Sequence, residues 1–149
     1  MIRNAKITDA KEIQNLVNTF AKKGEMLTLS LSEIYERIFE FIVYEENGKI
    51  LGCCALHPSW EDLAEIRSLA VSEEYFNKGI GKSLVKHNLQ RAKELGIKKV
   101  FALTYKLKFF EKLGFYEIPK DSLPRKIWSD CLKCPLFPDC DEIAVMIEI

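Results

Sequence analysis

Apolar positions change period along this chain, and each change marks an element. Ile13, Leu16, Val17 and Phe20 recur at helical spacing through about Lys23, where Gly24 stops the run. Thr8 and Asp9 offer N-cap oxygens ahead of it, with Glu12 placed for a capping box, and Met1–Ile7 reads as a short strand. Ser30-Leu31-Ser32-Glu33 predicts a second capping box, opening a helix with Ile34, Ile38 and Phe41 on one face. Phe41–Glu45 and Lys49–Leu56 read as strands joined by Asn47-Gly48, the strongest short hairpin signal. In the next strand, Leu63–Val71, alternation places Leu63, Glu65, Arg67, Leu69 and Val71 on one face. Ala64, Ile66, Ser68 and Ala70 take the other, and the carboxylate and guanidinium stand out in so apolar a strand.

The second half alternates helix and strand. Ile80–Leu95 predicts a helix that turns Leu84, Val85, Leu89 and Ala92 inward and ends at Gly96. Lys98–Thr104 reads as a buried strand, Lys106–Leu113 as a short helix closed by Gly114, and Phe115–Ile118 as a strand interrupted by Pro119. Glu142–Ile149 is a last strand, whose Ile143–Ile147 could pair across a homodimer. Hairpins first and βαβ units later predict an α/β fold, a mixed sheet with helices on both faces, in one domain over residues 1–149.

Composition narrows the partners. With 149 residues, 48% hydrophobic and 30% charged, the chain is long enough for a real core. Lys+Arg and Asp+Glu balance at 22 each, so no basic field points to nucleic acid or membrane. No apolar run approaches a membrane span, and Met1–Lys6 lacks the apolar core of a signal peptide, so a cytoplasmic location is expected. Cys53 and Cys54 read as core; Cys131, Cys134 and Cys140 lack a convincing fourth ligand, so reduced thiols or a local disulfide are expected rather than a metal site. His57 and His87 read as structural.

The candidate chemistry gathers around Leu69–Lys82. A strand breaks into a polar turn ending Gly79-Ile80-Gly81, and a helix begins at once. Such a helix start aims backbone N–H groups without intrahelical partners in one direction, which suits phosphate. The order strand, Asn77-x-Gly79-x-Gly81, helix resembles the cofactor signature of the GNAT superfamily of N-acetyltransferases, and Phe109-Phe110-Glu111-Lys112-Leu113-Gly114-Phe115 resembles its second signature. The resemblance implies an acetyl-CoA-dependent N-acetyltransferase. Acetyl-CoA would lie against Leu69, Ala70, Val71, Phe76, Asn77, Lys78, Gly79, Ile80, Gly81, Lys82, Phe109 and Phe110. Phe76 stands where the family usually has Gln or Arg, and Phe110 where it commonly has Tyr.

Within that superfamily, Ala64–Val71, Ala102–Tyr105 and the cysteine-bearing tail resemble short N-acetylglutamate synthases. This implies L-glutamate as the amine substrate, in arginine biosynthesis, with Glu65 as the base that helps neutralise the amine. Glu65 also reads as the structural partner of Arg67, two residues on. Tyr105 is the candidate acid for the departing thiolate, or else an aromatic lining residue. Where related synthases tend to carry a carboxylate-binding arginine, this chain has Thr28 and Leu29, so the charge would come from Arg67, Arg125 or Lys126. The alternatives are another small amine or a protein N-terminus as acceptor, or an acetyl-CoA-binding sensor without turnover.

Overall fold

Asn47 and Gly48 both take positive φ, 53° and 76°, and turn β2 (Phe41–Glu46) back onto β3 (Lys49–Trp60). The computed structural model describes residues 1–123 and 142–149. Around that hairpin the described residues form one seven-stranded sheet in the order β1-β2-β3-β4-β5-β7-β6. The remaining strands are β1 (Ile2–Asn4), β4 (Leu63–Val71), β5 (Lys99–Thr104), β6 (Tyr116–Ile118) and β7 (Ile143–Glu148). Helices α1 (Ala10–Ala21) and α2 (Leu31–Glu36) cover one face, where Ile13, Val17, Phe20 and Ile34 pack on Phe41, Val43, Cys53 and Ala55. On the other face α3 (Ile80–Glu94) sets Ile80, Leu84, Val85 and Ala92 against Ile42, Leu51, Cys54, Leu56 and Val100. Gly52 lets it come close: a Cβ there would lie 3.1 Å from Ile80 and Leu84 side-chain carbons.

Four expectations change. Asp9 does not cap α1 through its side chain; its carboxylate accepts from the Lys6 N–H and from both Arg3 terminal nitrogens instead. A buried carboxylate gains more from a guanidinium fork than from one helix N–H. The second helix ends at Glu36, and Phe41 opens β2 rather than extending a helical face. Phe41, Ile42 and Val43 favour extended backbone, and Arg91 of α3 holds the 3-10 turn before them, Ile38–Glu40, by donating to the carbonyls of Phe39 and Glu40. The third strand runs on to Trp60, through His57 and Pro58. Finally, β7 is an interior strand, paired with β5 along Ile143–Glu148 and with β6 at Ala144–Met146, so both its edges are occupied within one chain. The Ser30–Glu33 capping box forms as the sequence predicts.

Among the described strands only β4 and β5 run parallel, and their ladder is short: Leu63–Glu65 against Lys99–Phe101. Beyond it β4 continues beside β3, and β5 beside β7. The sheet therefore opens into a wedge at its centre.

Candidate active site

The strict alternation expected for β4 holds only as far as Arg67. Ala55 pairs with Arg67 but Cys53 pairs with Ala70, so β4 spends one more residue than β3 over that stretch. The extra residue is at Ser68, whose φ is 53°, and its carbonyl accepts from the Cys53 thiol at 3.4 Å. After this bulge the faces exchange. Leu69 and Val71 pack with Ala64 and Ile66 on the α3 face, whereas Ala70 joins the α1–α2 face. One inserted residue flips every side chain that follows. The bulge also bends β4 where its ladder with β5 has ended, which widens the wedge.

The polar turn at the end of β4 closes the top of this wedge. Asn77 and Gly79 both adopt positive φ, 63° and 79°, and curl the chain into α3. Gly79 is the N-cap and offers no side-chain cap. The first N–H groups of α3 are thus left pointing out of the helix start. Asn77, Lys78 and Lys82 are exposed there, Ile80 is in the core, and the Lys78 ammonium lies 5.4 Å from the Tyr75 ring centroid. Gly81 faces α4 (Leu107–Glu111): a Cβ on it would touch the Phe109 ring at 3.4 Å and Val71 at 3.7 Å. Phe109, half-buried, borders the wedge mouth, while Phe110 packs edge-on against Phe109 and Phe115 in the core.

At the foot of the wedge lies the carboxylate. Glu65 is the last β4 residue paired with β5, opposite Phe101, and its Oε1 accepts from Arg67 Nε at 2.8 Å. Both side chains are on the α1–α2 face, at a seam. The α1–α2 cluster lies to one side, and Leu63, Phe101, Leu123 and Ala144 form a separate cluster on the other. The Glu65 side chain is 9% exposed, so this carboxylate is buried beside a guanidinium. His57 is the cross-strand partner of Glu65, so it shares that face, and its Nδ1 is 3.0 Å from Glu40 Oε2. Sequence alone marks His57 only as a residue before proline; its place beside Glu65 comes from strand register. Tyr105, 38% exposed, follows the end of β5, four residues beyond Phe101 and so about 13 Å along the strand direction.

The segment between α1 and α2 approaches from the same face. Gly24, at φ 75°, ends α1 in a Schellman arrangement in which the Glu25 N–H bonds the Phe20 carbonyl and the Gly24 N–H bonds that of Ala21. Leu29 is tied back to α1 through its main chain: its N–H donates to Asn18 Oδ1 and its carbonyl accepts from Gln14 Nε2. Thr28 is exposed and Leu29 half-buried. Where α1 ends, the Phe20 ring stacks on Phe76 with centroids 6.1 Å apart, and Lys23 pairs with Glu73. Phe20 reads from sequence as a core position, and nothing in its spacing reveals that it meets Phe76 at the start of the glycine turn. Arg125, Lys126, Cys131, Cys134 and Cys140 lie outside the described residues. Among the described residues no group of three His, Cys, Asp or Glu could hold a metal, and no helix is long and apolar enough to cross a membrane.

Comparison with known proteins identifies the family to which this fold belongs. Residues 9–115 match the acetyltransferase (GNAT) family. An uncharacterised N-acetyltransferase of Chlorobaculum tepidum is 44% identical over 97% of this chain and 94% of its own length. An amino-acid acetyltransferase of Mycobacterium tuberculosis is 38% identical over 87% of this chain and 76% of its own. Among solved structures, N-acetylglutamate synthase of Neisseria gonorrhoeae, complexed with coenzyme A and N-acetyl-glutamate, superposes with a TM-score of 0.91 at 28% identity. This chain is covered to 99%, and spans 34% of that larger protein.

Proposed function

Given that this chain belongs to the GNAT acetyltransferase family and is an N-acetyltransferase using acetyl-CoA, we propose that it acetylates the α-amino group of L-glutamate. The observation that carries this reading is the buried Glu65–Arg67 pair at the foot of the β4–β5 wedge, below a turn that offers unpartnered N–H groups. It is supported by the amino-acid acetyltransferase and N-acetylglutamate synthase likenesses.

The residues divide the work by position. The Asn77–Lys82 turn takes the pyrophosphate on its backbone, and the β4 edge at Leu69–Val71 pairs with the pantetheine amides. The thioester then lies toward Glu65. Substrate amine enters mostly protonated; Glu65, through a water, removes that proton. The neutral nitrogen attacks the thioester carbonyl, a C–N bond forms, and the oxyanion is held by backbone N–H donors of β4. The nitrogen then gives up its second proton to water, the C–S bond breaks, and Tyr105 at the end of β5 donates its phenol proton to the CoA thiolate and takes one back from solvent. Arg67, Arg125 or Lys126 supplies positive charge for the acceptor carboxylates, and Thr28 and Leu29 border the acceptor.

The runner-up is a different small amine on the same scaffold. Thr28 and Leu29 favour it, because neither offers a guanidinium and the Leu29 main chain is already engaged by Gln14 and Asn18. Thiol release from acetyl-CoA, measured against a panel of amino acids and amines, separates the two. Release with L-glutamate at least tenfold above every other amine is expected; preferential release with a different amine overturns the assignment.

A further inference from the structure

The two halves of the proposed site are fastened together by a contact that involves neither the reacting atoms nor the strands. Phe76 ends the short turn before the glycines, and 44% of its surface is exposed. Its ring lies on Phe20, which is 7% exposed, at an interplanar angle of 29°. In the turn that ends α1, Lys23 sits 5.6 Å above the Phe20 ring and pairs with Glu73, three residues before Phe76. The stack and the ion pair thus bridge the end of α1 to the start of the cofactor turn across more than 45 residues of sequence.

We infer that Phe20 and Phe76 are positioning residues that couple acetyl-CoA binding to the conformation of the acceptor loop, Gly24–Leu29. This rests on the assignment of the Asn77–Lys82 turn to the cofactor. The connection is physical at each step. A phosphate seated on the Gly79–Lys82 N–H groups fixes a turn whose two positive-φ residues, Asn77 and Gly79, lie within three residues of Phe76. The Phe76 ring is then held against Phe20, and Phe20 is rigidly part of α1. Its own carbonyl accepts the Glu25 N–H that begins the acceptor loop. Asn18 and Gln14, on the same helix, hold the loop's other end at Leu29. Fixing α1 against the cofactor turn therefore fixes both ends of the loop at once. Of the two links the aromatic stack carries more, because Lys23 and Glu73 are each about half exposed and water screens their attraction.

Coupling of this kind is reciprocal. Hydrogen exchange of the Glu25–Leu29 amides, with and without saturating CoA, tests it without knowing the acceptor. In the wild-type protein CoA should slow these amides by about fivefold or more, the low end of ordinary site-to-site coupling. In Phe76→Ala, CoA titrated to saturation by calorimetry should leave them unchanged; Phe76→Tyr, which keeps the stack, should restore the protection, and Lys23→Ala should lose only part of it. CoA binding that slows the loop equally in Phe76→Ala and wild type, or in neither, overturns the inference while leaving the cofactor assignment intact. Failure of wild-type protein to bind CoA overturns the cofactor assignment, and this coupling with it.

Discussion

Glu65 and Asp9 are both buried carboxylates beside arginine, yet they serve the molecule differently. Asp9 is saturated: Arg3 Nη1 and Nη2 donate at 2.7 and 3.1 Å, and the Lys6 N–H at 2.7 Å. The Arg3 hydrogen bonds, ahead of the opposing effect of burial, hold its carboxyl below the usual range. A carboxyl depressed in the folded state contributes stability above its unfolded pKa of about 3.9 and loses it as pH falls toward the folded value. Asp9→Asn should therefore cost about 1–3 kcal/mol in urea melts at pH 7, with the gap to wild type shrinking below about pH 4. Glu65, by contrast, accepts from Arg67 Nε at 2.8 Å where β4 leaves its ladder with β5. Glu65→Gln should lower kcat by about a hundredfold or more while the KM for acetyl-CoA stays within about threefold; unchanged kcat removes Glu65 from the chemistry. Burial raises both the Cys53 and Cys54 thiols, Cys54 to about 12, so neither should be alkylated at pH 8 until the protein unfolds, as peptide mapping can read.

At the scale of elements, the decisive local event is the bulge in β4. Ser68 is a non-glycine at φ 53°, so Ser68→Gly should fold at least as well, while Ser68→Val should lose about 1–2 kcal/mol in thermal or urea melts. Deleting Ser68 would remove the bulge yet leave Leu69 and Val71 on the α3 face and Ala70 on the other, so a retained fold with a straightened β4 and weakened CoA binding in calorimetry is expected. At the helix start the two glycines differ. Nothing lies within 4 Å of a Cβ at Gly79, so its requirement is the φ of 79°, whereas Gly81 is limited by the Phe109 ring at 3.4 Å. Gly79→Val should abolish CoA binding in calorimetry with the fold retained; Gly81→Ala should bind. The helices, the hairpin and the two signatures were legible because periodicity, caps and glycines are local. The bulge was not: Ser68 sits in an unbroken β-forming run, and its extra residue is visible only against β3. The same holds for His57, whose neighbour Glu65 is set by register, and for Phe20, whose apolar spacing is that of any core residue. Asp9 looked like a cap because Arg3, its actual partner, is brought to it by β1.

For the whole molecule, β7 is the strand on which the second half of the sheet depends. It fills the space between β5 and β6, contributes Ala144 and Val145 to the core, and returns from the far end of the chain. Removing Ile143–Ile149 would expose the β5 edge and strip both ladders, so loss of cooperative unfolding by circular dichroism is expected. On the other side β1–β4, with α1 and α2, form an antiparallel body that needs little from β7. Six residues of parallel ladder, together with the packing of α3 and α4, join these two bodies across the wedge. A ligand lying in that wedge touches both, so it acts as a tie between them and adds to the stability of the folded state by mass action. At a hundred times its dissociation constant the gain is about 2.7 kcal/mol, or roughly 5–10 °C of melting temperature for a chain of this length. The midpoint of a thermal melt is then a direct gauge of what occupies the wedge.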